Sequence, residues 1–133
     1  MSERPRILLV DDELSMIKIV ERRLTVEGFA VLTAMDGEEA LMKTQIEQPA
    51  LVILDLKLPL ISGDEVCRRL KQDLRCHKIP VILFTAKAQE TDVQMARGCG
   101  ADAYIGKPFR MQELLEHVRT LLAASAPQGE VER

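Results

Sequence analysis

The chain has 133 residues, 47% of them hydrophobic and 29% charged. That is enough for one domain with a single core, too short for two folded modules, and far from the composition of a disordered chain. A formal charge of −3 offers no basic surface for neutralising phosphates, which excludes direct nucleic-acid binding from the expected functions.

The first element is the run Ile7-Leu8-Leu9-Val10, apolar throughout and ending at Asp11 and Asp12, the pattern of a strand buried on both faces. A helix is expected after Glu13, with Leu14, Ile17, Val20 and Leu24 facing inward and Gly28 as a left-handed stop. Phe29 to Thr33 mixes small and polar residues into a β-prone stretch, as an edge strand does. Asp36 stands three residues before Glu39, the spacing of a capping box, and starts a second helix. Leu51-Val52-Ile53-Leu54 is the next buried strand and runs into Asp55. Ser62 and Glu65 repeat the capping-box spacing and start a third helix. Val81-Ile82-Leu83-Phe84 is a further buried strand, ending at Thr85. A fourth helix, from Glu90 to Arg97, carries only a short apolar stripe (Val93, Ala96) and stops at Gly98 or Gly100. Asp102 to Ile105 is the second edge-strand candidate, followed by Lys107 and Pro108. Met111, Leu114, Leu115, Val118 and Leu122 mark the last helix.

From about Ala123 periodicity disappears, and the stretch to Arg133 reads as a flexible tail or the start of a linker. The folded domain is therefore expected over 1–122 and the tail over 123–133. Cys67, Cys76 and Cys99 follow neither a CxxC nor a zinc spacing and are expected as reduced, buried thiols, Cys99 being incidental. No apolar run reaches membrane length and the N-terminus is polar, which predicts a cytoplasmic protein with no membrane partner.

Strand and helix alternate five times, which requires a parallel sheet with helices on both faces. Right-handed crossovers, with the two weak strands at the edges, give the order 2-1-3-4-5. Residues just past the strand ends then gather at one sheet edge, with the winding reversing between strands 1 and 3. Asp11, Asp12 and Asp55 flank that point, while Thr85 and Lys107 follow strands 4 and 5. Three converging carboxylates either raise one pKa or hold a hard divalent cation, with Mg²⁺ the natural candidate. A carboxylate can attack phosphorus if a metal and a cation neutralise the transferring group. Asp55 is placed to attack, Lys107 to supply positive charge, Thr85 to offer a hydroxyl, and Asp11 and Asp12 to hold the metal.

Four pieces make these features specific: Leu8 to Glu13, Asp55 to Gly63, Thr85-Ala86-Lys87, and Gly100 to Phe109. Over roughly residues 5 to 122 the chain resembles the receiver domain of two-component response regulators, the chemotaxis receivers among them. The resemblance implies a flavodoxin-like (βα)5 fold and a phosphoacceptor role for Asp55, served by a sensor histidine kinase or a histidine phosphotransfer protein. It implies Mg²⁺ held by Asp11, Asp12, Asp55 and the backbone carbonyl of Lys57, with phosphoryl contacts from Ala86 and Lys107. A cis Lys107–Pro108 bond is implied as well, aiming the lysine at the phosphoryl group. Thr85 and Tyr104 stand where the family keeps its switch pair, and Pro59 and Gly63 shape the loop below Asp55. Output is implied through the fourth helix, fifth strand and fifth helix, to a separate protein or a missing output domain, with phosphorylation-dependent homodimers as one form of it. Such a domain catalyses its own phosphorylation and dephosphorylation and is not a turnover enzyme. Gly106 is smaller than expected before the lysine.

Taken singly, an acidic pair after a strand is usually a solvated turn, Asp55 a loop residue, Lys107 a surface cation, and Tyr104 a cover for the core. Lys57 and Lys87 are ordinary surface cations that, flanking the site, would tune access of water to it. Three other functions compete. A flavin or nucleotide binder needs a glycine- or hydroxyl-rich loop where Asp11-Asp12-Glu13 stands. An interaction-only receiver would normally have lost an acid, the threonine or the lysine. A phosphate-ester hydrolase needs a substrate cap that the chain is too short to hold.

Overall fold

In a computed structural model of the chain, the structure describes residues 4–86, 94 and 98–125. Five parallel strands form one sheet: β1 (Arg6–Val10), β2 (Ala30–Ala34), β3 (Leu51–Asp55), β4 (Val81–Ala86) and β5 (Ala103–Lys107), in the order β2-β1-β3-β4-β5. The helices are α1 (Leu14–Val26), α2 (Gly37–Glu47), α3 (Gly63–Gln72) and α4 (Met111–Ala124). The helix expected from Glu90 to Arg97 lies outside the described residues, save Gln94.

Each central strand alternates its side chains between two cores. Leu8, Val10, Val52, Leu54, Val81 and Leu83 face α2 and α3, where Ala40, Val66, Cys67 and Leu70 meet them. Ile7, Leu9, Ile53, Ile82 and Phe84 face α1 and α4, against Ile17, Val20, Leu24, Leu114, Leu115 and Val118. Burial on both faces explains why β1 and β3 read as unbroken apolar runs. β2 and β5 sit at the edges, and most of their residues are only partly buried.

Helix ends account for most of the local differences from expectation. Gly28, at φ +102°, closes α1 in a Schellman motif: its N–H donates to Thr25 O at 3.1 Å and the Phe29 N–H to Leu24 O at 3.0 Å. Leu14 was expected to face inward, but it stands in the first turn, short of the core, and is 52% exposed. Asp36 caps α2, accepting from Glu39 N–H at 2.8 Å, while the Glu39 carboxylate reaches back to Met35 N–H. Ser62 makes no such side-chain bond, although α3 starts after it. Its expected partner Glu65 is held instead by Arg68 and Arg69, three and four residues on, where charge-assisted bonds outcompete a cap. α4 runs to Ala124, two residues past the expected boundary, because Ala123 and Ala124 favour helix despite lacking an apolar stripe.

Candidate functional site

The C-terminal ends of the strands bring four of the expected residues together. Asp11, fully buried, is anchored by its backbone N–H to Ala34 O and accepts the Glu13 N–H on Oδ1 at 2.9 Å. That leaves Oδ2 for Lys107, whose Nζ lies 3.1 Å from it and 3.4 Å from Asp55 Oδ2. One ammonium from β5 therefore bridges the acids of β1 and β3. The lysine stem passes beside Phe84, with Nζ 5.4 Å from the ring centroid, and Phe84 stacks on Phe109 at 4.8 Å. The Lys107–Pro108 peptide between these groups is cis.

One oxygen from each of Asp11, Asp12 and Asp55 lies within 4.8 Å of the others, with Asp11 buried, Asp55 half-buried and Asp12 exposed. Burial holds the Asp55 carboxyl above its ordinary range; Lys107 opposes this, and the charges of Asp11 and Asp12 add to it. Burial would lower the Lys107 ammonium, but Asp55 and Asp11 outweigh it and the group sits above its usual value. Three carboxylates against one cation leave excess negative charge, and the donor set is all oxygen. Such a set fits a hard divalent cation, so this acidic pocket can hold a metal ion.

The other expected residues that the structure describes lie on β4, on β5 and just after β3. Thr85 is buried at the end of β4, one residue beyond Phe84, which pairs with Asp55 in the sheet. The backbone of Ala86 pairs with Lys107. Lys57 is exposed two residues past Asp55. Tyr104 pairs with Leu83 in β5 and is 37% exposed. Lys87 lies outside the described residues.

The loop below Asp55 is packed too closely for side chains. A Cβ on Gly63 would stand 2.1 Å from Asp55 O, and one on Gly37 would stand 2.0 Å from Ile61 O. Backbone bonds from Gly63 N–H to Leu56 O and from Gly37 N–H to Pro59 O close the loop at both ends. Gly63 was expected in this role; Gly37 was not, since it lies in a different segment and resembles any first-turn glycine. Sequence reading also missed Lys71, which donates to Asp102 at 2.7 Å and to Ile79 O at 2.9 Å. Its only sequence signal is a lysine in the last turn of a helix, where solvated lysines are common.

Residues 7–119 match the family model described as the response regulator receiver domain. The chain belongs to this family. Among curated relatives of the receiver, the alkaline phosphatase synthesis transcriptional regulatory protein PhoP of Bacillus subtilis is 40% identical over 129 residues, covering 95% of this chain and 53% of that protein. The phosphate regulon transcriptional regulatory protein PhoB of Rhizobium meliloti is 38% identical over 124 residues, covering 93% and 55%. The receiver thus spans about half the length of the curated relatives it matches. Among solved structures, a CheY-like response regulator receiver domain protein from Methanospirillum hungatei has a TM-score of 0.84 at 32% identity, covering 93% of this chain and 97% of that one. The receiver domain of a sensor histidine kinase from Pseudomonas aeruginosa, with a magnesium ion coordinated in its active site cleft, has a TM-score of 0.85 at 25% identity, covering 90% and 98%. No described helix is long and apolar enough to cross a membrane.

Proposed function

We propose that Asp55 accepts a phosphoryl group from the phosphohistidine of a sensor histidine kinase or a histidine phosphotransfer protein, in a Mg²⁺-dependent reaction. The reading rests chiefly on one observation: the Lys107 ammonium reaches Asp55 and Asp11 at once, within a pocket that carries three carboxylates. In the transfer, an Asp55 carboxylate oxygen forms a bond to phosphorus as the phosphorus–nitrogen bond breaks, and the electron pair stays on the departing imidazole. Lys107 faces the charge that develops on the phosphoryl oxygens, while the Thr85 hydroxyl and the Ala86 backbone amide donate to them. Asp11, Asp12, Asp55 and the carbonyl of Lys57 would hold the Mg²⁺, which would supply further neutralisation of negative charge.

The product is a mixed anhydride that water cleaves, so the domain catalyses its own phosphorylation and dephosphorylation and turns over no separate substrate. Lys57 and Lys87, each two residues from a site residue in the sequence, would tune the rate of that hydrolysis. A phosphoryl group adds roughly 1.5 to 2 negative charges, enough to bias a two-state surface. Thr85 turning toward it would leave space for Tyr104, now partly exposed, to move inward. Readout would pass through β5, α4 and the helix expected from Glu90 to Arg97, to an output domain or a partner in the cytoplasm, homodimerisation being one outcome. Since the relatives named above are transcriptional regulators, DNA control through a further domain is the output we favour. An apolar cavity of about 550 Å³ beside Lys107, lined in part by Met16, Ile19, Phe109 and Met111, offers the phosphodonor protein a seat next to the site. Incubation with acetyl phosphate and Mg²⁺ should add one phosphoryl group by intact mass, and Asp55→Asn should abolish it. Unchanged mass in the folded wild-type protein would leave an interaction-only receiver.

A further inference from the structure

Two of the three cysteines sit where they can react with each other. Cys67, on α3, is fully buried, and its Sγ lies 3.5 Å from the Cys99 carbonyl oxygen, while the Cys99 side chain is almost completely buried in the same core. The Cys67 sulfur thus touches the backbone of Cys99, and both side chains belong to one buried cluster. The segment carrying Cys99 is strapped to α3 at three levels: Cys67 meets Cys99, Lys71 one turn later packs against Gly100, and Lys71 binds Asp102 at 2.7 Å. This strap holds the sulfurs together, and the exposed glycines on either side of Cys99 give a small oxidant a short path inward.

We infer that Cys67 and Cys99 form a dithiol site that a peroxide converts to a disulfide, tying α3 to the segment that leads into β5. The neighbouring Cys67 thiol, with help from the Ala101 N–H and Arg68, holds the Cys99 thiol below its ordinary range, against burial and the nearby Asp64 carboxylate. Cys67 is shifted upward by its bond to Cys99 and by burial. Cys99, flanked by exposed glycines, is therefore the attacking thiolate, and Cys67, fully buried on α3, the resolving thiol. The Cys99 sulfur forms a bond to a peroxide oxygen as the O–O bond breaks, and the released hydroxide takes up a proton to become water. The Cys67 sulfur then attacks the sulfenic sulfur; an S–S bond forms, the S–O bond breaks, and the Cys67 proton leaves with the hydroxide as a second water. Both sulfurs are oxidised and the peroxide is reduced.

The test is to treat the folded chain with hydrogen peroxide, alkylate remaining thiols in denaturant and map the cysteines by mass spectrometry. Expected is a Cys67–Cys99 linked peptide pair with the loss of two hydrogens, reversed by dithiothreitol and unaffected by Cys76→Ser. In Cys67→Ser protein, dimedone should label Cys99; in Cys99→Ser protein, Cys67 should stay unmodified. Complete alkylation of both thiols after peroxide, a link through Cys76 instead, or Cys99 stopping at the sulfinic acid in wild-type protein would overturn the inference. The wild-type map alone decides it, whether or not either serine variant folds.

Discussion

Two lysines each join distant parts of the sheet through aspartate, and they end in opposite electrostatic states. Lys71 donates to Asp102 and to the carbonyls of Ile79 and His77, so its ammonium protons all have acceptors. Asp102 in turn accepts the Val81 N–H at 2.8 Å. That junction is closed, and its charges balance. Lys107 faces Asp11 and Asp55 with Asp12 close by, so one cation answers three acids. Burial, with the charges of Asp11 and Asp12 added to it, raises the Asp55 carboxyl, and the excess of acids leaves oxygens able to take more positive charge. A satisfied pair fixes a fold, whereas an unsatisfied one is available for chemistry.

Removing each lysine separates these roles. Lys107→Ala should slow phosphoryl incorporation from acetyl phosphate by about 100-fold or more, the usual scale for losing one preorganised charge at a transferring group. Lys71→Ala should leave that rate within about twofold once the variant is confirmed folded, because its ammonium binds Asp102, just before β5, and the loop before β4 rather than the site. Equal losses in stopped reactions followed by intact mass would erase the distinction between the two junctions.

Added Mg²⁺ should show the same contrast in stability instead of rate. A ligand that binds only the folded state stabilises it by about 2.7 kcal/mol at a hundredfold excess over its Kd. Urea melts should therefore shift with Mg²⁺ in the wild type and in Lys71→Ala protein, and EDTA should reverse the shift. In an Asp11→Asn, Asp12→Asn double variant the shift should vanish, and its persistence would place the ion elsewhere.

Much of the first junction was legible in the chain, and almost none of the second. Asp11, Asp55 and Thr85 stand at the ends of apolar runs and Lys107 follows a β-prone stretch, and a parallel sheet converts that one-dimensional fact into a shared edge. The register bears this out, with Ala86 beside Lys107 and Phe84 beside Asp55. Lys71 and Asp102 carry no such mark. Their contact depends on how the segment after residue 98 lies on α3, which hydrophobic periodicity does not encode. Gly37 stayed hidden for the same reason, since its need to lack a side chain is set by Ile61, far along the chain. Ser62 shows the converse error: a motif with the right spacing lost to the arginines that hold Glu65.

The closed junction should matter for stability alone. Asp102→Ala strips the Val81 N–H and Lys71 of a shared acceptor, with an expected cost of about 1 to 2 kcal/mol in urea midpoint. Asp102→Asn, which can still accept the Val81 N–H, should cost less. A cost below about 0.5 kcal/mol for the alanine variant would mean that water replaces the carboxylate fully.

The smallest effect should distinguish Asp55 from an ordinary ion-paired carboxylate by sign. A carboxyl whose folded-state pKa lies above its unfolded value binds more protons when folded. The stability contributed by Asp55 is thus fully present below the ordinary aspartate range and lost as pH rises through its raised folded-state value. Glu39, lowered by the Met35 N–H and by Lys43, runs the other way, contributing above the ordinary glutamate range and fading as pH falls through its lowered value. In metal-free buffer, Asp55→Asn should therefore be more stable than the wild type at neutral pH by on the order of 1 kcal/mol, with the difference shrinking toward acid pH. Asn keeps the shape of the side chain while removing one of three clustered charges, leaving Lys107 paired with Asp11. Urea melts of both proteins across the acid range check this directly, and a variant less stable at neutral pH would mean that the Lys107 attraction outweighs the burial of Asp55.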